Sequence, residues 1–532
     1  MEVMFKKIRH SKKPREKWGS KAGIILAVAG SAIGLGNFLR FPVQAAQNGG
    51  GAFMIPYFTA LIFLGIPLMW IEWTVGRFGG MYGHGTAPGI FHSIWNNRFI
   101  KYFGLIGIFG PLVILIYYTY IESWILGYSV FSLTGKFAQA QDQTAISSFL
   151  AGYQGLENNQ FFHGLGWAYL FFSITFFLNM AVIYRGISGG IERLSKIAMP
   201  ILLIFAVVIA IRVLTLGAPD LSRPSWNVKN GLGFLWNPDF SVLTNPKVWL
   251  AAAGQIFFTL SVGIGVILTY ASYLSRGDDV ALSGLTAVSI NEFAEVIIGA
   301  SIVIPAAFIF FGPVGIETVA KSGAFNLGFV TMPLIFKQIP LSFLWSALWF
   351  ILLFLAGLTS SVSLAQPAVA FLEDEFNIDR KKAVRILGLA AFILCQPAIF
   401  FLGQGVVDEL DFWGGTFCLV LFATIETILF TWVFGIDKAW EEIHAGADIR
   451  IPRVYKFIIK YITPLFLFSI LGFWLVKDGL PVILMQNISP ANRPYILGTR
   501  LMLLVLFIGL AVLLKIAWRR RKLTEAPLRN SL

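Results

Sequence analysis

The sequence predicts an all-α integral membrane protein with about twelve transmembrane helices, and three features lead there. Across 532 residues the mean hydropathy is +0.74, with 57% hydrophobic and only 13% charged residues, far more apolar surface than one soluble core buries. Apolar runs long enough to cross hydrocarbon as helices recur along the chain, among them Trp167 to Tyr184, Ile197 to Val213, Phe343 to Leu358 and Leu501 to Trp518. These runs are continuous rather than alternating, which argues against the period-two pattern of an outer-membrane barrel.

Read in order, the spans fall near 21–47, 52–77, 100–130, 166–184, 196–216, 248–275, 281–311, 343–373, 384–402, 409–434, 454–475 and 495–519. The first apolar run is long and lacks a small-residue cleavage motif, so span one is read as mature protein. Lys6, Lys7, Arg9, Lys12, Lys13, Arg15, Lys17 and Lys21 precede it, and Arg519, Arg520, Arg521 and Lys522 follow the last span. By the positive-inside rule both termini are cytoplasmic, and Arg185, Arg193, Arg380, Lys381, Lys382 and Arg385 fall on the same side. The same rule accounts for the formal charge of +13, so nucleic-acid binding is not indicated. Cys395 and Cys418 lie in apolar segments and the five His are scattered, which leaves no disulfide framework or metal-ligand spacing. The polar stretches Thr134 to Leu165, Gly217 to Asn245 and Gly312 to Leu341 are expected outside, the last with a short surface helix at Thr318 to Ala324.

Spans one and six share an internal signal. Ser31-Ala32-Ile33-Gly34-Leu35-Gly36 and Leu260-Ser261-Val262-Gly263-Ile264-Gly265 both place glycine, an apolar residue and glycine in mid-span, five helices apart. Such glycines serve either close helix packing or a break in the helix. Ser31 and Asn37 beside one, and Gln255, Thr259 and Ser261 beside the other, favour the break, because polar atoms at that depth need partners. The pattern suggests an inverted repeat: a basic N-terminus at 1–20, five helices at 21–216, an extracellular loop at 217–247, five more helices at 248–434, spans eleven and twelve at 435–519, and a cytoplasmic tail at 520–532.

Unwound helix in lipid exposes carbonyls suited to Na⁺ and half-helix N-termini suited to a carboxylate. Asn291, Thr359 and Ser360 add hard oxygen ligands inside apolar spans, although hydroxyls in Thr359-Ser360-Ser361 also bond to their own helix backbone. Arg40 and Asp411 sit near the outer ends of spans one and ten, and Arg15 and Asp374 near inner ends, so each pair either bridges a gate or snorkels separately. Glu72, Glu122 and Glu295 are carboxylates inside spans and candidate functional groups. Glu72 also suits structural capping, and Glu295 shares a helix face with Asn291. No G-x-x-x-x-G-K-[ST] nucleotide motif occurs.

Ala32-Ile33-Gly34-Leu35-Gly36-Asn37-Phe38-Leu39-Arg40-Phe41-Pro42, then Asn48 to Phe53, Tyr117-Tyr118, Gln255 to Ser261, Gly357 to Ser361 and Asp411-Phe412-Trp413, resemble the neurotransmitter:sodium symporter family over roughly residues 15 to 520. The likeness is greatest to its bacterial leucine-transporter branch, whose LeuT-type fold is a five-plus-five inverted repeat with helices one and six unwound. The resemblance implies a sodium-coupled, chloride-independent symporter, not an enzyme, that imports a small neutral, aliphatic amino acid across a bacterial inner membrane by alternating access. It implies two Na⁺ ions. One would be held by Ala32, Asn37, Thr259, Asn291 and the substrate carboxylate. The other would be held by Gly30, Ile33, Ala356, Thr359 and Ser360.

The implied substrate site comprises Ser31, Ala32, Gly34, Leu35, Gly36, Ile114, Tyr118, Phe258, Thr259, Ser261, Ile264, Ser360 and Leu364. Tyr118 would meet the carboxylate and Phe258 would cover it beneath Arg40 and Asp411. Arg15, Trp18, Ser272, Tyr273 and Asp374 would form the inner gate, and Glu295 would replace chloride. Gly34 stands where monoamine-carrying relatives place an aspartate, which leaves room for the substrate's own carboxylate. Ile264, Ile114, Leu364 and Ser31 depart from the phenylalanine, valine, isoleucine and asparagine of the leucine branch, leaving side-chain preference open. Oligomeric state is likewise open, a homodimer being one arrangement.

Overall fold

The computed structural model describes residues 15–238, 240–486 and 488–529. The basic residues before Arg15 lie outside them. Among the described residues the chain is helical, and one isolated bridge, Gly50 to Pro238, is the sole β pairing. Spans two to five run over Gly51–Met81, Ile100–Leu133, Gly166–Tyr184 and Ile187–Leu214. Spans seven to twelve run over Ala281–Lys321, Ser342–Phe376, Arg380–Phe400, Val406–Val433, Val454–Lys477 and Arg493–Arg520. Span one is a bent pair, Lys21–Ala32 and Gly36–Gln47, whose axes meet at 47°. Span six is Pro246–Leu260 followed by Val266–Ala271, each too short to cross alone.

Both breaks follow from local sequence. In span one Ile33 leaves the helix with ψ 89°, just before Gly34. In span six Ser261, Gly263 and Gly265 all take left-handed backbone, with φ 53°, 78° and 79°. Glycine adopts this freely, but Ser261 is strained there and donates to the Ser31 carbonyl at 2.9 Å, tying the two breaks together. A Cβ on Gly265 would stand 2.6 Å from the Gly107 carbonyl of span three, so the unwound segment threads a gap only glycine fits.

Spans three, seven and eight form the centre, each with 78% of its most apolar stretch buried, whereas spans eleven and twelve bury 33% and 28% and present apolar faces to lipid. Span seven leaves helical geometry at Gly312, where φ is 70° and ψ 179°, so the span proper ends at residue 311 as expected and a second, short helix follows to Lys321. That short helix, with Glu317, Thr318 and Lys321 exposed, is the surface helix expected at Thr318 to Ala324 set a few residues earlier, and the chain turns at Gly323. The helix that follows, Ala324–Lys337, is largely buried because Leu327, Phe329, Val330, Met332, Ile335 and Phe336 pack beneath it.

Candidate functional site

The two breaks touch each other, and residues of spans three, seven and eight surround them. Asn37, just beyond the span-one break, is fully buried. Its amide nitrogen donates to Asn291 Oδ1 at 2.8 Å, Glu295 Oε2 at 3.0 Å and Thr259 Oγ1 at 3.2 Å. Its Oδ1 accepts from the Gly34 backbone at 2.9 Å. Asn291 donates to Thr259 at 3.0 Å, and Thr259 in turn donates to Glu295. Glu295 also accepts from Gln255 at 2.8 Å and from Tyr57 at 3.2 Å, so every oxygen of this carboxylate is engaged. Four residues predicted on three spans, Asn37, Thr259, Asn291 and Glu295, thus form one connected polar cluster. Ala32 is buried beside it at the end of the first half-helix.

A second group lies on the other side of span one. A Cβ on Gly30 would touch Thr359 Cβ and Met199 Sδ, both at 3.2 Å, so span eight crosses span one here at backbone distance. Thr359 donates to its own helix at Leu355 and Ala356, 3.0 and 3.1 Å, and Ser360 donates to the Ser31 carbonyl at 3.2 Å. With their protons so placed, the hydroxyl lone pairs remain available. Ile33 sits at the break itself, fully buried.

Between these groups, Gly34 faces a small polar recess. Its missing Cβ would lie 3.0 Å from Ser360 Oγ and 3.3 Å from the Tyr118 hydroxyl. Tyr118 also interacts with the Leu35 backbone N–H. Gly36 packs flat against Phe258, where a Cβ would come to 2.6 Å of the ring. Of the apolar lining, Ile264 and Leu364 are buried and Ile114 half-buried. Ser363, which sequence reasoning missed, pairs its hydroxyl with Ser31 at 2.7 Å. Glu72 caps the span-six break rather than a helix end, accepting from Gly263 and, at 3.3 Å, from Leu268. Glu122 is engaged elsewhere, by Asn179 at 3.0 Å.

The Arg15 end is closed. Arg15 pairs with Asp374 at 3.1 Å, donates to the Ser272 carbonyl and hydroxyl at 3.0 and 3.1 Å, and lies 4.6 Å above the Tyr273 ring. Burial disfavours its charge, but Asp374 beside it holds the guanidinium above its ordinary range. Trp18 donates to the Tyr270 carbonyl at 3.0 Å. Arg380, buried and unforeseen, extends the closure through Gln366 at 2.7 Å to Tyr273 at 2.8 Å.

At the other end the expected Arg40–Asp411 ion pair is not formed. Arg40 lies 4.4 Å over the Phe258 ring, while Asp411 accepts from Tyr117 at 2.5 Å. The physical reason is that each is engaged elsewhere, Arg40 by the ring face and Asp411 by the phenol, beside an open space between spans one, six, ten and eleven. A cavity of about 410 Å³ there is lined by Arg40, Gln44, Lys247, Phe258, Thr416 and Trp474 among others.

Comparison with known proteins agrees with this geometry. A model of the Sodium:neurotransmitter symporter family matches residues 15–148 and 154–519. An uncharacterised sodium-dependent transporter of Methanocaldococcus jannaschii is 32% identical over 468 residues, covering 86% of this chain and 89% of the relative. The uncharacterised sodium-dependent transporter YhdH of Bacillus subtilis is 32% identical, covering 78% and 84%. The sodium-dependent serotonin transporter of Drosophila melanogaster is 27% identical, covering 87% and 78%. Among solved structures, MhsT in complex with L-phenylalanine superposes with a TM-score of 0.72 at 31% identity, covering 86% of this chain and 99% of that one. MhsT has the LeuT fold, and the helical bundle described above matches it. The family carries solutes rather than making or breaking bonds, so the buried carboxylates are not enzymatic acids or bases. The chain is therefore a member of the sodium:neurotransmitter symporter family, a sodium-dependent transporter with the LeuT fold.

Proposed function

We propose that this protein imports a small neutral amino acid with an aliphatic side chain, driven by two sodium ions and without chloride. The observation that carries the reading is the recess at Gly34. It is walled by Ser360 and Tyr118 and bonded through Gly34 N–H to the Asn37–Thr259–Asn291–Glu295 cluster, so a carboxylate held there would lie beside the sodium ligands. A carboxylate shared between substrate and ion makes each raise the affinity for the other, which is thermodynamic coupling.

The donor set fits sodium. Amide, hydroxyl and backbone oxygens dominate both groups; Glu295 is the carboxylate that meets Asn37 and Thr259, in place of a mobile anion, and Glu292 stands behind it on Asn291 and Tyr57. A Gly34 without a carboxylate offers no countercharge to a lone amine, which favours an α-amino acid. Ile114, Ile264 and Leu364 suit an aliphatic side chain. MhsT binds L-phenylalanine, so an aromatic amino acid belongs in the test panel.

In this reading the Arg15 end faces the cytoplasm, as its basic flanks require, and the Arg40 end faces outside with its vestibule open. Substrate and sodium arrive from the vestibule. Phe258 and Arg40 close over them, and the Arg15–Asp374 closure then opens inward. The inward-negative potential adds about 2.3 kcal/mol per charge per 100 mV. Uptake of radiolabelled alanine, leucine, methionine and phenylalanine into proteoliposomes, with sodium or potassium outside, tests it. Sodium-dependent accumulation of an aliphatic member is the expected result, and equal signals in both salts would overturn the proposal.

A further inference from the structure

The end of span ten that carries Asp411 is held from an unexpected direction. Two residues before Asp411, Glu409 is buried, and its Oε1 accepts from Arg500 of span twelve at 2.6 Å and from Trp413 at 2.7 Å. Arg500 is fully used: its other two nitrogens donate to the Ile483 and Val482 carbonyls, at 2.8 and 2.7 Å, at the end of the short helix after span eleven. One guanidinium therefore ties spans ten and twelve to the chain leaving span eleven. A carboxylate as buried as Glu409 is costly unless it is paired in good geometry, and the half-buried Arg500 supplies that pairing.

The tie acts on the vestibule wall. Immediately after Asp411, Phe412 and Phe417 pack on Trp474 of span eleven, with ring centres 5.3 and 5.9 Å apart. Trp474, Gly415 and Thr416 line the vestibule. Gly415 crowds the gate from behind, since a Cβ there would meet Asp411 Oδ1 at 2.5 Å and the Tyr117 hydroxyl at 3.2 Å. Asp411 is not paired with Arg40 here, and it sits on the same helical turn as Glu409, within Val406–Asp411.

We propose that Arg500 is a positioning residue for the outer gate: by holding Glu409 it fixes the end of span ten that carries Asp411, and so couples spans eleven and twelve to closure of the vestibule. The inference rests on the gating role given above to Arg40 and Asp411. Spans eleven and twelve lie outside the two repeats, and this gives them a part in transport.

The test is a labelling rate. In a Cys395→Ala, Cys418→Ala background, Ala251→Cys places a single thiol in the vestibule wall. Its reaction with a charged methanethiosulfonate is timed in purified protein, with and without sodium plus an equimolar mixture of L-alanine, L-leucine, L-methionine and L-phenylalanine. Closure slows labelling in the parent. Arg500→Gln and Glu409→Gln are each expected to raise the amino-acid concentration needed for half-protection by roughly tenfold, and the double variant to be no worse than either single one. A merely structural tie would lower yield and melting temperature but leave the protection curve of the surviving protein unmoved, and that result overturns the inference. If Arg500→Gln does not fold, Glu409→Gln, which keeps both carbonyl bonds of Arg500, decides alone. A parent that shows no protection at all overturns the gating reading and this inference with it.

Discussion

Replacing Gly34 by aspartate puts the coupling argument at greatest risk. A Cβ at this position would stand 3.0 Å from Ser360 Oγ and 3.3 Å from the Tyr118 hydroxyl, so the aspartate carboxylate would occupy the recess assigned to the substrate's own. Two carboxylates held about 4 Å apart repel by roughly 4 kcal/mol at the effective dielectric of a partly hydrated site, even before steric exclusion. At about 1.4 kcal/mol per decade, that is close to a thousandfold loss of amino-acid affinity. The measurement is sodium-dependent binding of the labelled panel to detergent-purified Gly34→Asp, with its melting temperature taken beside the parent's to exclude misfolding. Affinity within tenfold of the parent would refute the placement of the carboxylate. Gly34→Ala supplies the steric part alone and is expected to lose far less.

Three further outcomes follow from the same geometry. Glu295→Ser removes the fixed negative charge beside Asn37 and Thr259, so uptake by this variant is expected to require chloride while the parent ignores it; replacing chloride by gluconate in the assay distinguishes them. Thr359→Val keeps the side-chain shape packed against Gly30 but removes the hydroxyl, and is expected to raise the sodium concentration for half-maximal binding about tenfold, the size of one hydrogen-bonding partner, without changing the pocket's preference among amino acids. Gly76→Ala drives a methyl into the Leu268 carbonyl, where span two crosses the second half of span six; overpacking of this kind costs about 1–3 kcal/mol, read as a lower melting temperature in detergent.

The parts of this molecule that the sequence discloses are those where chemistry is local. The breaks in spans one and six are written as glycines beside polar residues, and the proposed sodium ligands Ala32, Ile33, Asn37 and Thr259 lie on or near them. Thr359 and Ser360 are visible because hydroxyls are conspicuous in an apolar run. What escapes is long-range. Arg500 and Glu409 are 91 positions apart, and nothing in either span's periodicity announces the partner. Arg380 reads as one more positive-inside cation until its bonds to Gln366 and Ile183 are seen. The helix Ala324–Lys337 is too short for a span and follows a glycine kink, so its buried face is hidden from any window tuned to membrane crossing. Arg40 and Asp411 fail differently. Sequence places both at one end of the bundle, but whether they touch is a property of the conformational state.

The unequal closure of the two ends bears on how the cell's ion gradient is protected. At the Arg15 end an ion pair, hydrogen bonds from Arg15, Trp18 and Gln366, and a ring stacked under a guanidinium must release together; at the Arg40 end a cation resting on Phe258 faces an open vestibule. Closure built from many interlocked contacts opens in an all-or-none fashion, because losing one contact leaves the others in place. A carrier with sodium but no cargo would then stall instead of slipping, and ions would not run down their gradient unaccompanied. The redundancy of the Arg15 end is, in energetic terms, insulation against dissipation.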